Sequence, residues 1–114
     1  MMAVAQNNVL IVMTNAPDRA TAETIARAAV EARVAACVNI MGPCTSIYRW
    51  QGAVETAEEV PVFMKTTAAR YAELEALVRK LHPYELPEIV AVPAGRGLQA
   101  YFDWVQAETT PGAA

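Results

Sequence analysis

The stretch TSIYRWQGAVETAEEVPVFMKT, residues 45–66, decides the fold. Its first part, TSIYRWQG, reads as a strand. Its last part, EEVPVFMKT, reads as a second strand, and Gln51-Gly52 between them supplies a turn. Upstream, ACVNIMG reads as the start of the same strand, which Pro43 interrupts and TSIYRWQG resumes. Proline cannot donate to a sheet ladder, so Pro43 and Pro61 are expected at bulges or unpaired edge positions. The whole becomes one long, bent β-hairpin. Tyr48 and Trp50 share one face of it, and Ile47 and Arg49 share the other.

On either side of the hairpin lies a helix. Downstream, TTAARYAELEALVRKL carries Leu74, Leu77, Val78 and Leu81 as an apolar stripe at helical spacing. Thr67 is expected to cap it, and Glu75 and Arg79 to pair on its outer surface. Pro83 ends it, because a residue preceding proline avoids the helical region. Upstream, Asp18 suits the N-cap of a helix over residues 19–33, with Ile25, Ala29 and Ala32 recurring on one face. The chain opens with the short apolar run NVLIVMTN and closes with PEIVAVP and GLQAYFDWVQAE. The first two of these read as strands. The last reads as a short helix with Tyr101, Trp104 and Val105 inward.

The resulting order, β-α-β-β-α-β plus a terminal helix, defines an α+β fold of ferredoxin-like type. It places two helices on one face of an antiparallel sheet. One short helix covers only part of the other face, so association of subunits is the expected completion. The domain is expected over residues 9–108, with flexible ends at 1–8 and 109–114.

Composition narrows the function. The chain has 114 residues, a net charge of −3 and 54% apolar residues, of which 23 are alanine. No Lys/Arg cluster forms a basic stripe, so nucleic acid is not an expected partner. The longest run of large apolar residues, from Val9 to Met13, is too short to span a membrane. MMAVAQNN carries no charged n-region or cleavable apolar segment, and a cytoplasmic location is the expectation. Cys37 and Cys44 lie seven apart, without a redox or zinc-type spacing, and read as small buried hydrophobes without a disulfide.

Candidate sites centre on KLHPYELPEI, residues 80–89, which holds the only histidine, His82. At a helix C-terminus His82 can complement the dipole and the last carbonyls. As a metal ligand it would need Glu85, Glu88, a cysteine or a residue from another subunit to converge with it. Lys65, at a strand end before a helix, is either a snorkelling side chain or a cation placed for an anion. Pro83 and Pro87 stiffen the loop that carries Tyr84 and Glu88, so little freedom is lost when they bind. Lys65, Tyr84, Glu88 and Trp50 are the candidate ligand-binding residues, and the lysine, phenol and carboxylate would make a mixed-charge pocket suited to a small polar ligand or a bound anion. The bland alternative is a Lys65–Glu88 ion pair between subunits. Glu55, Glu58 and Glu59 read as a solvated charge run. AGRGLQA superficially matches a dinucleotide fingerprint, but no second βα unit follows it. No Ser-His-Asp or Cys-His arrangement is supported, so an enzyme is not the expectation.

NAPD after the first strand, RVAACVNI, SIYRWQG, MKTT, HPYELPEI and the late Trp104 together closely resemble the CutA family of divalent-cation-tolerance proteins. The resemblance runs from about Val9 to Trp104, with the motifs in order. It implies a ferredoxin-like fold, a tight homotrimer similar to the PII-type signalling trimers, and a link to copper or another divalent cation. The bacterial copper-binding pattern has a cysteine shortly before APD and two adjacent histidines before PY. Here Thr14, Leu81 and His82 stand at those positions, so His82 alone carries over. The resemblance points to a binding module in metal homeostasis. Its rivals are a PII-like small-ligand sensor and a ferredoxin-like enzyme using Lys65 or Glu88.

Overall fold

The computed structural model describes residues 7–111. Along the chain run β1 (Val9–Ala16), α1 (Arg19–Glu31), β2 (Cys37–Ile40), β3 (Cys44–Trp50) and β4 (Ala53–Thr67). A 3₁₀ turn (Ala68–Arg70), α2 (Tyr71–Leu81), β5 (Val90–Pro93) and α3 (Gln99–Glu108) follow. The sheet order is β2-β4-β1-β5, with β3 also on β4, and every pairing is antiparallel. The expected element order is present, with the second strand split into β2 and β3.

β4 is the spine. Its 15 residues extend roughly 50 Å, enough to serve three partners. At one end Gln51 (φ 49°) and Gly52 (φ 85°) form a two-residue turn of the type that matches hairpin twist. At the other end β1 pairs with β4 without interruption, from Val9–Thr67 to Ala16–Val60.

Between β2 and β3 the register slips. Ile40 faces Val62 and Cys44 faces Glu59, so Met41, Gly42 and Pro43 stand opposite only Val60 and Pro61. The extra residue is a bulge. Pro61 belongs to the same device. Its carbonyl accepts from the Met41 N–H at 2.9 Å, so its missing N–H falls on the side the bulge already interrupts. On the β1 side Pro61 faces Asn15 and the ladder is continuous. The slip also reverses parity. In β2 the even residues Val38 and Ile40 pack on the helix-side core. In β3 the even residues Ser46, Tyr48 and Trp50 join Glu59 on the opposite face of the sheet.

α1 and α2 cover the first face. Ala22, Ile25 and Ala29 of α1 and Leu74 and Val78 of α2 close over Val12, Ala16, Val60, Val62 and Met64. Asp18 caps α1 by accepting from the Thr21 N–H at 2.7 Å, and that bond holds its carboxyl below the usual range. α1 ends at Glu31, earlier than expected, because Arg33 turns left-handed at φ 60°. The Arg70 guanidinium donates back to the Ala32 and Arg33 carbonyls and also to the Glu73 carboxylate on α2.

Three local expectations are corrected. Thr67 does not cap α2; its hydroxyl lies 3.5 Å from that of Thr109, and Arg70 occupies the N-cap position. Glu75 and Arg79 form no ion pair, and Glu75 instead sits beside the Tyr71 phenol, which burial and that carboxylate push upward. On α3 the inner residues are Phe102 and Val105, packed with Val9 and Ala36, while Tyr101 and Trp104 remain exposed. Gly97 explains the rotation. A Cβ there would come within 2.5 Å of the Phe102 ring, so the ring takes the space that glycine leaves.

Residues 1–6 and 112–114, part of the ends expected to be flexible, lie outside the described residues. Just inside them the chain is held. The Asn7 side chain accepts from the Val9 N–H at 2.8 Å, and Thr109 is buried with its hydroxyl on the Val105 carbonyl. α3 covers only one end of the second face. Val90 and Val92 stay exposed there. Cys37 and Cys44 are free thiols, each half-buried.

Thr14 is a flaw in the first face. It is 1% exposed and its hydroxyl has no hydrogen-bond partner. A buried unsatisfied hydroxyl costs about 1–3 kcal/mol, whereas an apolar isostere avoids that cost. Thr14→Val is expected to raise stability by about 1 kcal/mol. Urea unfolding at one protein concentration checks it: the midpoint should rise at constant slope, and a lower midpoint refutes it.

Candidate functional site

The loop between α2 and β5, residues 82–89, is tied to the end of β1 by its histidine. The His82 N–H closes α2 on the Val78 carbonyl at 2.8 Å, and the residue is then extended (ψ 132°) because Pro83 follows. The ring is 5% exposed. Its Nδ1 accepts from the Tyr84 N–H at 3.2 Å, and its Nε2 lies 2.7 Å from the Asn15 carbonyl. A nitrogen that accepts carries no proton, so the network assigns the hydrogen to Nε2, which donates to Asn15. Both nitrogens are therefore committed to backbone. The ring also packs on Tyr84, with centroids 4.6 Å apart.

This staple aims the rest of the loop. Tyr84 reaches Glu59 on β4, and its phenol is raised first by burial and then by the Glu59 carboxylate. The phenol thus stays protonated as a donor at neutral pH. Asn15 Nδ2 donates to Glu88 Oε1 at 3.0 Å, so one residue of β1 fixes the loop by main chain and side chain together.

Between this loop and the hairpin lies a cleft of about 810 Å³. Tyr48 and Trp50 line one wall, Tyr84 and Glu88 the other, and Asn15 and Glu59 are also in its lining. Three of the expected ligand residues, Trp50, Tyr84 and Glu88, are thus brought together. Lys65 is not among them. It lies four residues along β4 from Pro61, roughly 13 Å, flanked by Ile11 and Cys37. Its ammonium donates to the Asn39 side chain. The expected mixed-charge pocket of Lys65, Tyr84 and Glu88 is therefore not formed within one chain, nor is a Lys65–Glu88 ion pair.

The sequence reading missed Asn15 and misplaced Glu59. Glu59 is 8% exposed, not part of a solvated run. The signal was present but conditional. Glu59 shares a face with Tyr48 and Trp50 because the two-residue turn at Gln51-Gly52 sets even residues of β3 against odd residues of β4.

The copper ligand set implied by the family resemblance does not fit these residues. Thr14 offers a hydroxyl sealed in the core, Leu81 offers no donor, and both nitrogens of His82 are occupied. Among the described residues no group of three His, Cys, Asp or Glu side chains is placed to hold a metal. None of the described helices is long and apolar enough to cross a membrane.

The family model for the CutA1 divalent ion tolerance protein matches residues 10–108. A divalent-cation tolerance protein CutA of Thermus thermophilus is 46% identical over 99 residues, 87% of this chain and 96% of that protein. Protein CutA of Homo sapiens is 43% identical over 93 residues, 82% of this chain but 52% of the human protein. Among solved structures, the divalent cation tolerance protein (Cut A1) from Thermus thermophilus superposes with a TM-score of 0.88 at 45% identity. That match covers 90% of this chain and 99% of the other. CutA from Xylella fastidiosa also gives 0.88, at 38% identity and the same coverage of each chain. With its sheet, its helices and nearly its whole length matched, the chain belongs to the CutA1 divalent ion tolerance family.

Proposed function

We propose that the protein serves divalent-metal homeostasis, copper included, as a cytoplasmic homotrimeric binding module and not as an enzyme. The ligand site of that module is the cleft between the β3–β4 hairpin and the 82–89 loop. The observation that carries the reading is the convergence of Trp50, Tyr84 and Glu88 on one cleft of about 810 Å³. The second reading, a PII-like sensor of a small ligand with no physiological metal, draws on the copper-ligand misfit at Thr14, Leu81 and His82.

Support for the trimer comes from what one chain leaves uncovered. The hairpin projects beyond the four-strand order, and Ile47 and Val54 on its outer face are 71% and 64% exposed. Val90 and Val92 leave an apolar strip on the second face of the sheet. Exposed β3 offers unpaired main chain to a neighbour, and strand addition would bury these side chains as well. Sedimentation should give one species of three times the 12.3 kDa chain mass at micromolar concentration. A folded monomer there removes the trimer.

Two further outcomes separate the cleft from the metal positions. His82→Ala should lower stability by about 1–3 kcal/mol and speed amide exchange at Tyr84, yet leave a copper isotherm unchanged. Loss of a copper site in that variant restores His82 as a ligand. In a strain that lacks its own family protein and grows poorly on copper, wild type and Thr14→Val should restore growth equally. Trp50→Ala with Glu88→Ala, checked to be trimeric, should not. Rescue by the double variant excludes the cleft as the working site.

A further inference from the structure

We propose that this cleft takes a small organic cation, an ammonium carried on a short apolar body. The inference rests on the cleft being the ligand site and adds the chemical class of the ligand.

Charge comes first. Glu59, Glu85 and Glu88 line the cleft, against one guanidinium, that of Arg49. Arg49 lies in register with Val54, on the other face of the hairpin from Tyr48 and Trp50. The ion pairs among the described residues are Arg19–Glu23, Arg33–Glu108 and Arg70–Glu73, and none involves a cleft carboxylate. Glu59 is the telling member. It is more than nine-tenths buried and opens on the cleft, with the Tyr84 phenol beside it and no cationic partner. Its carboxylate faces the cleft beside a phenol, and a bound cation would supply the counter-charge that the chain does not.

The walls select the kind of cation. Tyr48, Trp50 and Tyr84 present aromatic surface to the same space, and such faces attract ammonium groups. Leu86 and Pro87 add apolar surface for a hydrocarbon body. A bare metal ion gains little from aromatic and aliphatic walls, because it needs several converging oxygens. An anion would meet three carboxylates. An organic ammonium uses both halves of the lining.

The test uses the indole N–H resonances of the intact protein. Trp50 reports on the cleft and Trp104, on α3, is the internal control. Titrants are n-butylammonium chloride, sodium butyrate and sodium chloride at matched ionic strength. The expected result is a saturable shift of Trp50 with butylammonium alone. Glu59→Gln, or Glu88→Gln should the first variant fail to fold, should weaken that response about tenfold. A saturable response to butyrate and not to butylammonium overturns the cation assignment while keeping the cleft as a ligand site. Equal responses at Trp50 and Trp104, or none with any titrant, overturn the cation proposal. In that case the growth assay of the cleft variants decides the site independently. A trimer weakened by Glu59→Gln with no butylammonium response identifies a basic side chain of a second copy as the cation. That outcome overturns the free ligand.

Discussion

A single extra residue opposite Pro61 separates the parity of β2 from that of β3. Strand side chains alternate with a period of two, so a slip of one exchanges the two faces. Met41, Gly42 and Pro43 against Val60 and Pro61 make that exchange between β2 and β3. Upstream of it, even-numbered residues feed the helix-side core. Downstream, Tyr48 and Trp50 stand with Glu59 on the other face. The turn at Gln51-Gly52 sets the pairing of β3 with β4, and the extra residue lets β2 join the same strand with the opposite parity. Two prolines with missing donors are placed where the ladder is already broken, so the device costs the sheet little hydrogen bonding.

The second wall depends on a histidine that does no ligation. His82 spends both nitrogens on backbone, one on its own loop and one on Asn15. Asn15 in turn holds Glu88. The loop is thereby fixed to the one strand that runs unbroken along β4, and the positions of Tyr84 and Glu88 inherit the rigidity of the sheet. A preorganised polar site of this kind loses little entropy when a ligand arrives.

Element order was legible because its signals are local. Asp18 before a helical pattern, Pro83 after one, and Gln51-Gly52 between two strand-like runs each act within a few residues. The apolar stripe of α2 announced its buried face directly. What failed to show depended on distant partners. The face of α3 was misjudged because the choice between Trp104 and Phe102 is made by Gly97, whose missing side chain admits the Phe102 ring. Thr67 looked like a cap, but it has Thr109 beside it instead. Trp50, Tyr84 and Glu88, expected to act together, do line one cleft. Lys65 lies apart from Glu88 within one chain, because that distance is set by a sheet register that no local pattern displays. Glu59 was passed over because three nearby glutamates look like a solvated face until Tyr84, from a loop distant in sequence, is set beside one of them.

The span of β4 also sets an order of assembly. Its turn end pairs with β3 across two residues, a closure completed on the microsecond scale. Its other end must wait for β1, whose Val9 meets Thr67 only after the intervening helix and hairpin have been gathered in. Until β1 pairs, one edge of the central strand VPVFM is open to the wrong neighbour. Glu55, Glu58 and Glu59 flank that segment on its approach from the turn. Their like charges discourage two such hairpins from joining edge to edge before each has found its own first strand.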